Sequence, residues 1–423
     1  MKKTALLLVG YRSKACEAAQ KLGFDIFLWD EKRLPKSKVK YFKKIFTFPF
    51  KDEDLNLPQN FVQQLKKENI SFVSGVTEKA VMPAVLARKA LGFPGTTLEV
   101  AKRCRNKITM KNYAQKKNIL VTPFVALKKN TTVEELEKNL SYPIVLKYKS
   151  LSGRRGLLIA HNKKNLGSMA KKRDLAEKWI KGKEFSVESF IRNGKIIFKN
   201  ITEYYELGHL NIMPASLNPA QAKLIYKLND EVIKKFKINQ GMTHLECYLT
   251  KDGLVFGEIA LRPPGGYLMD LIHIVYGFDP WAALLSIESG KKFTIKTQPI
   301  RTTCSWIFHP GPGKIKEIKG LDEVKKIKEV SELKIKLKVG DVIGVRESSS
   351  EEYGHIIIQT QNQKKLLNTI KKIKAKFKII KESAGHGIPF RSKLLCNFAF
   401  RPALPRHQHS WYRLDPCFES IAL

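Results

Sequence analysis

The sequence predicts a mixed fold, in which an α/β unit with a parallel sheet precedes α+β units. Strands alternate with helical segments over about residues 1–100, which is the pattern of a parallel sheet. Further along, the strands predicted at residues 244–249 and 254–261 are separated only by the turn signal Lys-Asp-Gly, which predicts an antiparallel hairpin. The length of 423 residues is enough for two to four domains.

The first unit begins with an apolar strand at residues 5–10, followed by helical spacing at 13–22 and a second strand at 24–29. A further strand and helix are predicted at residues 70–75 and 81–91. These elements indicate a Rossmann-like domain. Because the turn after the first strand has only Gly10 and no GxGxxG pattern, we expect this domain to bind no dinucleotide.

A single helix is predicted over residues 98–117, and its basic side chains at helical spacing would form a solvated face on composition alone. A strand at residues 144–149 then carries Lys147 and leads directly into the loop 150–156, which is rich in Gly and Ser. Such a loop can wrap phosphates with its backbone N–H groups. Its spacing is not that of the P-loop, so an ordinary turn is the alternative.

The hairpin at residues 244–261 carries the most informative charges. Side chains alternate along a strand, so antiparallel pairing can bring Glu246 and Glu258 side by side. Like charges opposite each other are unfavourable, and a hard divalent cation such as Mg²⁺ would explain the pair. Arg262, two residues beyond, could meet transferred phosphate charge. The alternative is a solvated hairpin with scattered charges.

Residues 202–218 appear irregular, whereas residues 296–382 predict another small α+β unit. Lysine, frequent everywhere before, occurs only once after about residue 383. We expect residues 383–423 to be a disordered or appended tail.

The net charge of +38 raises the question of nucleic-acid binding. The lysines are spread along the whole chain, with neither zinc-finger spacing nor a paired aromatic RNA-binding signature, so we do not expect a nucleic-acid partner. Attraction of a polyanionic nucleotide accounts for the same charge. No apolar stretch approaches the length of a membrane span, and six cysteines without CxxC spacing favour a cytoplasmic protein.

Five stretches in this order resemble the ATP-grasp superfamily, and within it the carboxylate–amine ligases related to bacterial L-amino acid ligases. The stretches are GFPGTTLEVAKRCRNKITMK, YPIVLKYKSLSGRRG, EKWIKGKEFSVES, GMTHLE and GEIALRPPGG. The resemblance covers about residues 1–380. It implies a pre-ATP-grasp domain at 1–100, a two-subdomain ATP-grasp domain at 101–295 with its lid at about 120–181, and a carboxyl-terminal domain at 296–382.

The resemblance also implies an ATP site. Two lysines would contact phosphates, the loop at 150–156 would be the lid, residues 177–180 would line the adenine, and one glutamate would accept hydrogen bonds from the ribose. The residues implied are Lys107, Lys147, Ser152, Gly153, Glu177, Lys178, Ile180 and Glu184.

By the same resemblance, Glu246 and Glu258 would hold Mg²⁺, or Mn²⁺ in its place, and Glu258 and Arg262 would be catalytic, with Arg262 stabilising the acyl phosphate. Most ATP-grasp enzymes have Asn where this chain has Ala260, which weakens the expectation of a second metal ion. The residues expected to contact the substrate are Glu206, His209, Arg262, Gly265 and Gly266.

The expected activity is ligation. ATP would activate a carboxylate, that of an amino acid in the first place, as an acyl phosphate, and an amine would displace the phosphate. Ligases of this type are often dimers, so a homodimer is a further expectation. The alternatives are an ATP-grasp ligase acting on a nucleotide precursor, a biotin-type carboxylase, a non-catalytic nucleotide-binding module and a basic RNA-associated protein.

Overall fold

A computed structural model describes residues 4–51 and 56–382, and the predicted tail lies outside this range. The described residues form four β-sheets with helices packed on them, which confirms the mixed class. Among these residues no single helix is long and apolar enough to cross a membrane. One pair of helices, Leu268–Tyr276 and Pro280–Ser289, passes that test only when taken together and is bent by 96°.

The amino-terminal region forms a parallel four-stranded sheet in the order β3-β2-β1-β4. Its elements are β1 (Ala5–Val9), α1 (Ser13–Lys21), β2 (Asp25–Asp30), α2 (Lys36–Val39), β3 (Lys44–Thr47), α3 (Gln59–Lys67), β4 (Phe72–Gly75) and α4 (Val81–Leu91). A 3₁₀ turn, Glu78–Ala80, joins the last strand to α4. Gly10 ends β1 with φ +81°, and a Cβ there would lie 2.6 Å from Thr77 Oγ1, so this turn requires glycine.

The prediction of one helix over residues 98–117 is wrong, because the segment contains α5 (Leu98–Arg105) and α6 (Lys107–Lys116). Asn106 between them is extended, and its side-chain oxygen accepts hydrogen bonds from the backbone N–H groups of Ile108 and Thr109. Asparagine favours such a cap over a helix interior. The predicted solvated basic face is also wrong, since Lys111 is buried.

A small antiparallel sheet follows, in the order β5-β8-β6-β7. Its elements are β5 (Phe124–Ala126), α7 (Val133–Asn139), β6 (Ile144–Lys147), β7 (Leu158–Ala160), α8 (Lys163–Ala170) and β8 (Leu175–Lys178). A separate apolar core that includes Leu136, Ile144 and Leu166 holds the two helices on this sheet. The loop 150–156, the proposed lid over the phosphates, therefore joins two strands of a small unit with its own core.

The next region supplies the centre of a large sheet. Its elements are β9 (Lys183–Arg192), β10 (Lys195–Glu206), β11 (Leu210–Met213), α9 (Pro219–Lys235), β12 (Gly241–Thr250), β13 (Gly253–Ala260), α10 (Leu268–Tyr276) and α11 (Pro280–Ser289). The hairpin predicted from the sequence is confirmed as β12 and β13. The irregular section predicted at residues 202–218 is wrong in its first half, because alternating apolar residues continue β10 to Glu206 and form β11.

The carboxyl-terminal region contains β14 (Thr302–Ile307), β15 (Gly313–Lys319), α12 (Leu321–Lys325), β16 (Val330–Ile335), β17 (Val342–Ile343), β18 (Gly354–Thr360), α13 (Gln363–Lys376) and β19 (Lys378–Glu382). Three of these strands extend the large sheet, whose order is β13-β12-β9-β10-β11-β14-β18-β16, and the other three form the sheet β17-β15-β19. One face of β11 and β14 packs on α13 through Leu210, Trp306 and Ile370. The large sheet thus runs unbroken from the hairpin to the carboxyl-terminal strands.

Candidate active site

Three glutamates lie together on one face of the large sheet. Glu246 of β12 is directly opposite Glu258 of β13, as the sequence predicted. On the other side of β12, Glu184 of β9 pairs in register with Tyr248, two residues from Glu246 on the same face. Burial and the charge of Glu246 raise the pKa of Glu184 to about 8. The register therefore concentrates negative charge that a cation would relieve.

His244, on the same face, organises hydrogen bonds behind Glu246. Its Nδ1 lies 2.9 Å from Glu188 Oε1 and its Nε2 lies 3.3 Å from Glu246 Oε1. The hydroxyl of Tyr204 also donates to Glu246 Oε1, at 3.2 Å. Burial disfavours a charge on His244, but the hydrogen bonds to Glu188 and Glu246 outweigh burial and raise its pKa to about 9.

Glu188 is itself fully buried, so its charge needs partners. Besides His244, it accepts hydrogen bonds from Ser186 Oγ at 2.7 Å, Thr202 Oγ1 at 2.7 Å and Asn200 Nδ2 at 3.2 Å. A carboxylate held by donors on four sides is fixed in position. The sequence analysis did not identify this network, although Glu188, Asn200 and Thr202 alternate with apolar residues on the two neighbouring strands.

Three lysines lie close to glutamates of this site. Two of them belong to α6, and the third ends β6. Lys107 Nζ, in the first turn of α6, lies 2.7 Å from Glu258 Oε2. Lys147 Nζ, at the end of β6, lies 2.7 Å from Glu177 Oε2, and the buried Lys111 Nζ lies 3.2 Å from Glu177 Oε1. Burial opposes the charge of Glu177, but the two lysines outweigh it and lower its pKa to about 2. Lys107 and Lys147 thus lie beside the cluster of Glu184, Glu246 and Glu258, which we call the acidic centre.

Arg262 has a partner that the sequence analysis missed. Its Nε donates to Glu78 Oε2 at 2.6 Å, and Arg105 Nη1 lies 3.2 Å from Glu78 Oε1. Burial alone would raise the pKa of Glu78, but Arg262, Arg105 and Lys107 together lower it. Glu78 belongs to the 3₁₀ turn after the amino-terminal sheet, 184 residues away from Arg262 in the chain. No local sequence pattern marks this contact.

The loop 150–156 contacts the carboxyl-terminal region. The carbonyl of Gly153 accepts a hydrogen bond from the backbone N–H of Ser349 at 2.8 Å. Gly153 and Arg154 have φ of +65° and +61°, so the loop turns sharply there. The carbonyl of Ser152 accepts the N–H of Arg155 at 3.5 Å, which makes Ser152 the start of this turn.

Some backbone groups at the end of β8 and just after it already form hydrogen bonds within the protein. The N–H of Lys178 donates to the carbonyl of Pro123 at 2.9 Å, while the Lys178 side chain is exposed. Ile180 is half-buried. Glu177, expected in the adenine site, directs its carboxylate to Lys111 and Lys147.

The residues expected to contact the substrate have different partners. Glu206 forms an ion pair with Lys374 of α13, whereas His209 Nδ1 lies 3.3 Å from the carbonyl oxygen of Ile307. The carbonyl of Gly266 accepts from Ser305 Oγ at 2.9 Å, and Gly265 is exposed. His209 and Gly266 therefore lie beside β14, which β10 and β11 separate from the strand of Glu184, while Glu206 faces the carboxyl-terminal helix.

The donor set suits a hard cation that is completed by substrate oxygens. Among residues 4–51 and 56–382, no three His, Cys, Asp or Glu side chains surround a common point. Glu246 and Glu258 offer two carboxylates side by side, and Mg²⁺ typically takes one or two carboxylates together with phosphate oxygens and waters. The pair fits magnesium held jointly with a nucleotide.

Two family models and a relative of known activity match parts of the chain. Residues 112–271 match the model of the ATP-grasp domain, and residues 305–382 match that of the L-amino acid ligase C-terminal domain 2. The chain is 25% identical over 343 residues to the L-arginine-specific L-amino acid ligase of Bacillus subtilis, and the match covers 76% of this chain and 83% of that protein.

Two solved structures share the fold. The L-amino acid ligase from Bacillus licheniformis has a TM-score of 0.76 at 21% identity, with 90% of this chain and 100% of that chain covered. The carboxyaminoimidazole ribonucleotide synthase from Aspergillus clavatus, complexed with ATP, has a TM-score of 0.71 at 17% identity, with 88% and 98% covered.

Proposed function

The chain belongs to the ATP-grasp superfamily and carries the carboxyl-terminal domain of L-amino acid ligases, and from this premise we propose that it joins the carboxylate of one amino acid to an amine at the expense of ATP. A carboxylate oxygen attacks the γ-phosphorus of ATP, the bond to the bridging oxygen breaks, and ADP leaves. The amine nitrogen then attacks the acyl carbon, phosphate leaves with the electrons of the C–O bond, and the nitrogen loses a proton.

The contacts support distinct roles for the basic side chains. Lys107 and Lys147 meet the phosphates, since both ammonium groups lie at the edge of the acidic centre. Arg262 faces the charge that develops on the acyl group, and its bond to Glu78 fixes its orientation. The loop around Ser152 and Gly153 covers the phosphates with backbone N–H groups.

The remaining roles concern the nucleotide and the metal. Residues 177–180 border the adenine, and Glu184 accepts hydrogen bonds from the ribose. Glu246 and Glu258 would hold Mg²⁺, which would supply positive charge to neutralise the phosphates of ATP. The orientation of Glu246 rests on His244 and Tyr204.

His209 is positioned to take the proton of the amine. Because the Ile307 carbonyl can only accept, Nδ1 carries the hydrogen and the Nε2 lone pair is available on a neutral ring. Burial and the nearby charge of Arg346 lower the pKa of His209, which keeps it neutral at pH 7. Gly265 and Gly266 border the same space.

One observation supports the proposal most directly. Glu246 and Glu258 lie opposite each other, and Glu258 pairs with Lys107 of α6 at 2.7 Å. Arg262 follows shortly after Glu258 in the chain and is held by Glu78 of the amino-terminal region. A structural role alone does not explain adjacent carboxylates on central and edge strands, because like charges opposite each other are unfavourable.

The test is ADP release with Mg-ATP over a panel of amino acids, offered singly and in pairs. We expect ADP only with particular pairs, together with the coupled product detected by mass. Glu258→Gln should abolish this release, whereas Asp252→Asn, an exposed carboxylate in the turn of the same hairpin, should leave it unchanged. ADP release that needs bicarbonate or a nucleotide precursor instead of an amino acid would replace the proposal with another ATP-grasp ligation.

A further inference from the structure

One buried guanidinium group joins the loop 150–156 to the residue that holds Arg262. Arg105 is the last residue of α5 and is 8% exposed. Its Nη1 donates to the carbonyl of Ser150, the first residue of the loop, and the same nitrogen lies 3.2 Å from Glu78 Oε1. Arg105 therefore contacts two segments that are remote from each other in the chain.

A second hydrogen bond holds the start of this loop against the junction between α5 and α6. The backbone N–H of Lys107 donates to the carbonyl of Lys149 at 2.8 Å. Lys107 is the first residue of α6, so its N–H has no acceptor within its own helix. Residues 149 and 150 are thus fixed at this junction by one backbone bond and by the side chain of Arg105.

Glu78 divides its carboxylate between two arginines. Its Oε1 faces Arg105, while its Oε2 accepts a hydrogen bond from Arg262 Nε at 2.6 Å. Because both oxygens belong to one planar group, a contact that fixes Oε1 also fixes the direction in which Oε2 points. The contacts therefore form a continuous series from Ser150 through Arg105 and Glu78 to Arg262.

The two ends of this series serve different parts of the proposed reaction. The loop would cover the phosphates of ATP, and Arg262 would face the acyl group. Apolar side chains of similar volume often stabilise a protein as well as a buried ion pair does, so stability alone is a weak reason for a buried arginine here. Transmission of orientation explains why Arg105 contacts both the loop and Glu78.

We propose that Arg105 is a positioning residue, which holds the loop 150–156 over the nucleotide and, through Glu78, keeps Arg262 directed at the acyl group. This inference rests on the ligase function proposed above. Arg105 would contact neither ATP nor the amino acid. The position of the loop and the orientation of Arg262 would then depend on one side chain, so that phosphate transfer takes place with both in position.

Steady-state kinetics of Arg105→Gln test both contacts. Loss of the bond to Ser150 should raise the KM for ATP about tenfold, and the freed Glu78 should lower kcat about tenfold. Because Arg105 acts on kcat through Glu78, the double variant Glu78→Gln/Arg105→Gln should have the kcat of Glu78→Gln within about twofold. Losses in kcat that multiply in the double variant would overturn the inference.

The matched control is Arg88→Gln, which also breaks a buried ion pair of the amino-terminal region. The Arg88 side chain is 12% exposed, and it donates to Glu288 Oε1 at 3.0 Å and to the carbonyl of Val73 at 3.1 Å. The control should leave kcat and the KM for ATP within about twofold of wild type.

A control that changes both constants as Arg105→Gln does would assign the two arginines a structural role and overturn the inference. Arg105→Lys keeps a positive charge beside Glu78 on a shorter side chain. It provides the same comparison if Arg105→Gln does not fold, with changes of kcat and KM in the same directions.

Hydrogen exchange separates this inference from the ligase proposal. Backbone exchange over residues 149–157 is followed in the full chain with Mg²⁺ and a non-hydrolysable ATP analogue, without any amino acid. The analogue should slow exchange in the wild-type loop and slow it less in Arg105→Gln. This difference supports the inference even when no pair of amino acids releases ADP. Equal protection of the loop in the two proteins refutes it even when ligation is observed.

Discussion

Lys111→Met removes one of the two lysines that pair with the buried carboxylate of Glu177, and so tests the charge network around Glu177. Lys111 and Glu177 are only 2% and 3% exposed. Glu177 Oε1 lies 3.2 Å from Lys111 Nζ, and Glu177 Oε2 lies 2.7 Å from Lys147 Nζ. Methionine keeps most of the volume of lysine, so the substitution mainly removes charge.

Breaking a buried ion pair typically destabilises a protein by about 3–5 kcal/mol, because one charge is left without its partner. Here Lys147 still holds the other oxygen of Glu177. Burial outweighs the attraction of Glu177 and lowers the pKa of Lys111, so the substitution also relieves a desolvated ammonium group. Both effects favour the lower end of the range, and we expect a loss of about 3 kcal/mol at pH 7.

The loss should depend on pH. Burial opposes the charge of Glu177, yet the lysines lower its pKa to about 2, from an ordinary value of 4.5. A carboxyl with a lowered pKa in the folded state stabilises that state above pH 4.5 and ceases to do so as the pH falls through about 2. The difference between wild type and Lys111→Met should therefore shrink between pH 4.5 and pH 2.

Urea unfolding followed by tryptophan fluorescence measures both effects. A loss of about 3 kcal/mol lowers the midpoint by about 1 M at a slope of about 3 kcal/mol/M. Lys116→Met, an exposed position on the same helix, is the control and should change stability by less than about 0.5 kcal/mol. Lys111→Met that behaves like this control, or that loses as much stability at pH 3 as at pH 7, would refute the reasoning.

Three further predictions concern catalysis and packing. Glu258→Gln should lower the rate of ADP release at least about 100-fold with unchanged circular dichroism, because one carboxylate of the proposed metal pair is lost, and a smaller effect would contradict that role. Glu78→Gln removes the charge that orients Arg262 and should lower kcat about 10- to 100-fold while the KM for ATP stays constant; an effect on KM alone would argue against it. Gly320→Ala should cost about 2–4 kcal/mol of unfolding free energy, because its Cβ would lie 2.2 Å from a carbonyl oxygen at the end of α13, whereas Gly340→Ala, also at positive φ but with nothing within 4 Å, should cost about 1 kcal/mol. Equal midpoints for the two alanine variants would show that the close contact relaxes freely.

The sequence was sufficient for features set by short-range rules. Alternation and the Lys-Asp-Gly turn predicted the hairpin, and antiparallel pairing was expected to allow Glu246 and Glu258 to lie side by side, which they do. The turn alone would place Gly257 opposite Glu246, and a register shift between Glu246 and Cys247 brings Glu258 there instead. The apolar strand before Gly10 likewise predicted the start of a parallel sheet, which is confirmed. In each case the interacting residues are close in sequence or repeat with a fixed period.

Other features depend on the competition between helix propensity and hydrogen bonding of a side chain to nearby backbone groups. One helix was predicted over residues 98–117, with Arg103, Lys107 and Lys111 at helical spacing. Asn106 instead accepts hydrogen bonds from the backbone N–H groups that follow it and divides the segment into two helices. Because α6 then begins at Lys107, Lys111 comes to lie one turn further on and is buried beside the small sheet rather than solvated. A propensity sum over the window does not detect such a break.

Long-range charge pairs were beyond the sequence. Arg262 was singled out, but its partner Glu78 was not, since the two residues lie 184 positions apart in the chain. Glu206 and His209 were paired by their spacing of three residues. A register shift in β10 precedes Glu206, which pairs with Lys374, while His209 lies against the carbonyl of Ile307 in β14. Spacing alone does not determine which face a residue occupies next to such an irregularity.

The contact between Glu78 and Arg262 gives the amino-terminal sheet region a role in the proposed chemistry, because Glu78 orients the side chain of Arg262. Gly10 closes β1 against Thr77, the residue before the 3₁₀ turn, so the position of Glu78 is tied to the edge of the parallel sheet. Arg262 itself follows the end of β13, where the sheet ladder no longer holds the backbone. The arginine is therefore oriented by a residue of the amino-terminal sheet region and not by its own hairpin. On the proposed function, the amino-terminal sheet region is required for turnover, because Glu78 fixes the charge that meets the acyl group.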